Sequence, residues 1–232
     1  MTIIKNILIR QLKKHLWKLP DDMLNRAVSH AVIHRKFSAL WNSPRTPGRE
    51  DVWRAALEAI GADRKILFLE FGVFEGESFR YFSKALTHPG SRLVGFDSFE
   101  GLPEDWGHRA MGSYSAGGKI PDIQDERASF AVGWFQDTLP PMVFDAAQFD
   151  AVLVHLDADL YSSTLFVLTE IWRRFPKVYV IFDEFVGDEA RALYNFTQAF
   201  PAAVSFIAHD AAPPKRVACV FSGMARRSMA SS

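Results

Sequence analysis

Four acidic side chains in this sequence stand directly behind apolar runs. Asp157 and Asp159 follow Ala151–Leu156, and Asp183-Glu184 follows Val178–Phe182. A carboxylate beside buried chain is costly unless it is paired, hydrogen-bonded or bound to a cation. Carboxylates gathered with water form an all-oxygen site of the kind that takes Mg2+. Asp157, Asp183 and Glu184 are therefore candidate metal ligands. In the competing reading, Asp159 and Asp183 are helix N-caps. His155 lies two residues before Asp157, so both face one side of an extended chain. It is either a satisfied core histidine or a proton acceptor.

A second group surrounds two glycines. Glu70-Phe71-Gly72-Val73-Phe74-Glu75-Gly76-Glu77-Ser78 follows another apolar run and leads into a helical pattern. Gly72 and Gly76 let backbone approach a ligand closely, and the helix N-terminus offers free N–H groups to a carboxylate or phosphate. The Gly-x-x-x-Gly spacing is not that of a dinucleotide loop and suits a smaller adenosyl ligand. Asp97 lies 25 residues beyond Gly72, close to the ~20 residues at which an acidic side chain grips ribose hydroxyls. Trp134 and Phe135 form an aromatic pair, fit either to pack on an adenine face or to fill the core.

These positions need a scaffold. Strand-length apolar runs at Ile66–Phe71, Leu93–Phe96, Phe130–Trp134, Ala151–Leu156 and Val178–Phe182 alternate with helical stripes such as Phe79, Phe82, Leu86 and Leu165, Leu168, Trp172, Phe175. That alternation predicts an α/β fold with a parallel sheet, and strands this apolar predict cover on both faces. Val204–Ala208 and Val217–Phe221 are too close for an intervening helix and should pair antiparallel. In an open parallel sheet the ligand sits beyond the carboxyl ends of the strands, where the candidate residues fall. The aperiodic stretch 107–125 is a candidate lid or binding loop.

Residues 1–60 read as an N-terminal helical extension and 61–232 as the main domain. Met1–Leu19 has the pattern of a basic amphipathic helix. It suits packing on its own domain or on a second copy in a homodimer, ahead of a place on anionic lipid. Asp51–Ile60 reads as a helix closed by Gly61.

Composition bounds the rest. With 232 residues, the chain buries about 70% of its surface on folding, enough for one sizeable core. Lys+Arg and Asp+Glu each number 27, and that balance argues against a nucleic-acid binder working through bulk positive charge. A single cysteine, Cys219, leaves no internal disulfide framework and fits a cytoplasmic protein. No apolar run reaches the ~18 residues of a membrane span.

Four segments occur in order: Glu70–Gly76, Gly95-Phe96-Asp97-Ser98-Phe99-Glu100-Gly101-Leu102-Pro103-Glu104-Asp105-Trp106, Gly133–Pro140 and His155-Leu156-Asp157-Ala158-Asp159-Leu160-Tyr161-Ser162-Ser163-Thr164. Together they resemble the macrocin O-methyltransferase family of class I S-adenosylmethionine-dependent methyltransferases, over about residues 66–197. The resemblance implies a Rossmann-like, seven-stranded, mostly parallel sheet with its last strand pair reversed. It implies that Gly72 and its neighbours Glu70, Phe71, Val73, Gly76 and Ser78 hold the methionine portion of S-adenosylmethionine. Asp97, with Ser98 beside it, would take the ribose, and Trp134 and Phe135 would lie near adenine. Mg2+ would sit on Asp157 and Asp183, with Glu184 where relatives carry a second aspartate. The acceptor would be a hydroxyl of a small molecule such as a sugar or natural product. Asp157, His155 and His209 are the candidate catalytic groups, with the base left open. Two other classes compete: a nicotinamide-dependent oxidoreductase on a similar sheet, disfavoured by the glycine spacing, and a cofactor-binding domain without turnover.

Overall fold

The computed structural model describes residue 15, residues 18–185 and residues 187–223. The amphipathic pattern over Met1–Leu19 falls almost wholly outside them. Among the described residues no helix is long and apolar enough to cross a membrane.

Seven strands form one sheet: β1 (Ile66–Phe71), β2 (Arg92–Asp97), β3 (Ala128–Val132), β4 (Ala151–Leu156), β5 (Lys177–Phe182), β6 (Ala202–His209) and β7 (Val217–Gly223). Their order is β3-β2-β1-β4-β5-β7-β6. The first five are parallel, and β7 runs antiparallel to both β5 and β6. The expected Rossmann-like sheet with a reversed last pair is therefore present. The chain leaves β1 toward β2 on one side and returns to β4 on the other. The switch point thus lies between the ends of β1 and β4.

The helices are α1 (Asp21–Lys36), α2 (Arg49–Ile60), α3 (Glu77–Ala85), a single turn α4 (Phe135–Thr138), α5 (Tyr161–Arg174) and α6 (Asp188–Ala199). Alternation along β1 explains their placement. Leu67, Leu69 and Phe71 join one apolar cluster with α1, α5 and α6. Ile66 and Phe68 join the other with α2 and α3. A strand whose residues are apolar on both sides must be covered on both faces; all six residues of β1 are buried, Glu70 being its one polar member. Val52, Trp53, Ala56, Leu57 and Ile60 of α2 belong to the second cluster, so this part of residues 1–60 packs into the same core.

Two expectations need correction. The third strand is Ala128–Val132, not Phe130–Trp134: Gly133 takes a φ of +138° that ends the strand, and Trp134 is the cap residue before α4. Nor is β3 covered on both faces. It is one of the two edge strands, and Val132 is 51% exposed.

Candidate active site

The carboxyl ends of β1, β2, β4 and β5 open into a cavity of about 330 Å3, at the small end of the range for ligand sites. Gly72 lines it. Its φ is +91°, and a Cβ built there would meet the Asp157 carbonyl oxygen at 2.0 Å. The close approach that requires glycine is thus to the neighbouring strand end. Asp157 N–H donates to Phe71 O (2.9 Å) and Gly72 N–H to Phe96 O (3.0 Å). Gly76 caps α3 with a left-handed residue, φ +79°. The N–H groups of the first turn of α3 have no partner within the helix, and Ser78 and Glu77 of that turn line the cavity.

Asp97 is joined to the glycine turn. Its Oδ2 accepts from Val73 N–H (2.7 Å) and Phe74 N–H (2.8 Å), and its Oδ1 from Phe99 N–H (2.7 Å). A carboxylate has about four acceptor positions, so roughly one remains for a ligand hydroxyl. Ser98 also lines the cavity, and its Oγ accepts from Glu100 N–H (3.1 Å). Trp134 and Phe135 form another part of the wall. Trp134 is 38% exposed. Phe135 is half-buried and set edge-on to Phe71, with ring centroids 5.3 Å apart. Glu70 and Phe71 are wholly buried beneath the turn and do not reach the cavity surface.

Asp157, Asp159, Asp183 and Glu184 all line the same cavity. Neither Asp159 nor Asp183 is a helix cap: Leu160 and Gly187 hold those places. Asp159 has φ +58°, and burial followed by repulsion from Asp157 and Glu184 pushes its pKa up to about 8. Burial and the charge of Asp183 raise Asp157 as well. Asp183 goes the other way. Burial opposes its charge, but His155, Arg49 and Arg216 hold it in the ionised form.

Each of the three expected metal ligands already has a protein cation. Arg49 Nε donates to Asp183 Oδ1 (2.9 Å) and an Arg49 terminal nitrogen to Asp157 Oδ2 (3.2 Å). Lys215 Nζ lies 2.7 Å from Glu184 Oε1. No group of three or more His, Cys, Asp or Glu residues among those described is placed to hold a metal ion. In this arrangement the carboxylates do not fit Mg2+.

His155 is fully buried under Trp53, with ring centroids 5.7 Å apart. Register pairs it with Glu70 on the adjacent strand, and its Nδ1 lies 2.9 Å from Glu70 Oε1. Glu70 Oε1 also accepts from Ser78 Oγ. His155 Nε2 is 3.9 Å from Asp183 Oδ1, an ionic contact beyond hydrogen-bond range. Burial disfavours the imidazolium, but Asp183 and Glu70 outweigh it and raise the pKa to about 9. His155 therefore supports Asp183 from below and does not line the cavity. His209 is also absent from the cavity wall. Its Nδ1 is 3.0 Å from Ser43 Oγ, and its backbone pairs with Pro44 and Thr46. Of the three candidate catalytic groups, Asp157 is the one the fold brings to the cavity.

Sequence reasoning gave no role to Arg49 or Tyr114, and read Asp159 as a cap. All three line the cavity. Tyr114 comes from the 107–125 loop, which is held by backbone bonds from Ala116 and Gly118 to Phe99 and between Leu102 and residues 112–113. The missed signal for Arg49 is its place at the first position of α2, where a cation opposes the helix dipole.

A family model described as a methyltransferase domain matches residues 69–185. The demethyldecarbamoylnovobiocin O-methyltransferase of Streptomyces niveus is 39% identical over 69 residues, which cover 28% of this chain and 24% of that protein. The 8-demethyl-8-(2,3-dimethoxy-alpha-L-rhamnosyl)-tetracenomycin-C 4'-O-methyltransferase of Streptomyces olivaceus is 30% identical over 145 residues, covering 53% of this chain and 54% of that protein. The chain thus spans about half the length, or less, of these relatives. The crystal structure of a calicheamicin methyltransferase shares the fold, with a TM-score of 0.53 at 19% identity over 90% of this chain and 89% of that one.

Proposed function

Because the chain belongs to the methyltransferase-domain family, we propose that it transfers a methyl group from S-adenosylmethionine to a hydroxyl of a small molecule such as a sugar or natural product. The observation that carries this reading is one cavity lined by two sets of groups. Residues 72–75, 77 and 78 with Asp97 and Trp134 suit an adenosyl amino acid; Asp157, Asp159 and Asp183, the acid wall, suit a hydroxylated acceptor. The two Streptomyces relatives, both named as O-methyltransferases, support oxygen as the accepting atom.

S-adenosylmethionine, when bound, supplies a methyl group on a positively charged sulfur that leaves as a neutral thioether. The chain's residues do the rest. The free N–H groups at the start of α3 hold the carboxylate of the amino-acid portion. Asp97 uses its remaining acceptor position on a ribose hydroxyl, and Trp134 packs on the adenine. The acid wall would orient the acceptor hydroxyl for transfer, and such alignment is the main demand of the reaction. As the oxygen–carbon bond forms, the hydroxyl proton passes to Asp157. A carboxyl whose pKa is raised toward neutrality suits that task better than an ordinary carboxylate. Tyr114 brings the 107–125 loop to the cavity, where the loop would limit the access of water. Mg2+ on Asp157, Asp183 and Glu184, as the macrocin-type resemblance implies, has no step here because those carboxylates are already paired.

Calorimetric titration with S-adenosylhomocysteine, with NAD in parallel, tests the reading. Binding of the first and not of NAD is expected, with methyl transfer to a hydroxyl-rich acceptor panel lost in Asp157→Asn. No heat with S-adenosylhomocysteine would overturn it.

A further inference from the structure

Arg49 is the first residue of α2, and the cap before it, Gly48, contributes no side-chain bond. Glu50 and Asp51 in the same turn suit the positive end of the helix dipole; Arg49 does not. Local helix chemistry therefore gives no reason for a cation at this position, but the tertiary contacts do. Each of the three guanidinium nitrogens meets a different carboxylate. Nε donates to Asp183 behind β5 (2.9 Å), one terminal nitrogen to Asp157 behind β4 (3.2 Å), and the other to Glu77 at the start of α3 (3.3 Å). Trp53, one helical turn on, lies beneath the group with its ring centroid 4.7 Å from the guanidinium carbon. A planar fork held on an aromatic face is fixed in orientation in a way that a lysine ammonium is not.

Two further observations bear on what this does. A guanidinium has five N–H donors. Three are used here, so two remain, and Arg49 lines the cavity. Glu184, the third oxygen donor that a divalent ion would need, is turned to Lys215. The two strand-end carboxylates are thus bridged by a positive charge that belongs to the chain.

We propose that Arg49 is the resident cation of this acid wall: it takes the position a divalent ion would hold between Asp157 and Asp183 and presents its free N–H groups to the acceptor oxygen. The proposal rests on the methyltransferase reading for the identity of the acceptor. The bridging itself does not depend on that reading. A guanidinium stabilises negative charge as it develops on the acceptor oxygen, in a partly water-excluded site where such contacts are strong. It also explains how several acidic groups are tolerated around one small cavity.

The test is Mg2+ titration of the full chain by calorimetry and thermal melting, for wild type, Arg49→Met and Arg49→Lys. Arg49→Met keeps contact with Trp53 and removes the charge. Wild type is expected to give no Mg2+ heat and no change in Tm. Arg49→Met is expected to bind Mg2+ on the order of 100-fold more tightly, as when a cation competing for the same carboxylates is removed, and to melt at a higher temperature when Mg2+ is present. Arg49→Lys, with a single point charge, should fall between them. Wild-type methyl transfer should survive EDTA. Mg2+ binding by wild type as strong as that of Arg49→Met, or binding by neither, overturns the proposal. So does wild-type transfer that EDTA abolishes and Mg2+ restores. If Arg49→Met does not fold, Arg49→Lys and wild type carry the same comparison. An S-adenosylhomocysteine titration of the same samples separates failure of the cofactor reading from failure of the cation assignment.

Discussion

Gly72 and Asp157 are in backbone contact: a side chain on Gly72 would meet the Asp157 carbonyl oxygen at 2.0 Å. One close approach sets both the glycine turn and the first carboxylate of the acid wall. The obstructing atom is backbone, and the glycine φ of +91° is strained for any L side chain, so neither can easily yield. Gly72→Ala is expected to destabilise the fold by about 3 kcal/mol or more. Urea unfolding would read this directly, and a loss below about 1 kcal/mol would show that the strand ends can separate.

Asp97 holds three N–H groups from two segments. Asp97→Asn replaces one acceptor oxygen with a donor that faces an N–H. The expected cost is about 2 kcal/mol of stability, from hydrogen bonds to a charged group. S-adenosylhomocysteine affinity should fall as well, since the turn and the proposed ribose contact would share this carboxylate. Unchanged affinity by calorimetry would remove Asp97 from the binding site.

His155 makes stability depend on pH. Its folded pKa, about 9, lies above the ordinary value near 6.5. The imidazolium thus favours the folded state fully below pH ~6.5, and that contribution is lost as pH rises through about 9. The loss is on the order of 3 kcal/mol. Asp159, raised to about 8, works in the same direction from the ordinary carboxylate range upward. His155→Gln separates the two, since it should flatten the alkaline limb alone. Urea midpoints measured from pH 6 to 9.5 would show it. His209 is shifted the other way, lowered by burial and Arg45.

Asp125 and Arg127 give the opposite sign. Arg127 donates to both Asp125 oxygens and to the carbonyls of Ser83, Leu86 and His88. Bonds from Arg127 and Ser83 hold Asp125 well below the usual carboxylate range against the cost of burial. This contribution is present above the ordinary carboxylate pKa and is lost as pH falls through the depressed one. Arg127→Ala should cost about 2–4 kcal/mol near neutrality, and the difference from wild type should shrink in acid. A constant difference down to pH 2 would refute it.

How much was legible in advance varied with distance along the chain. The bounds of β1 and β4 follow from runs broken only by Glu70 and His155, because a strand covered on both faces is apolar at nearly every position. The edge strand β3 was misplaced for the same reason: with one side open, its residues are only partly apolar and the signal is weak. Asp97 was visible from its spacing to Gly72. Its use by three backbone N–H groups was not, because those bonds depend on how the turn folds back.

By itself, the sequence determined the layered sheet, the reversal of its last pair and the clustering of acidic residues beyond the strand ends. Those are consequences of periodicity and of the cost of burying charge beside apolar chain. Only the tertiary structure decided which charge answers which. Arg49 stands 108 and 134 positions from Asp157 and Asp183, and no local pattern links them. Coulombic pairing depends on separation in space, and that separation is set when α2 packs on the sheet.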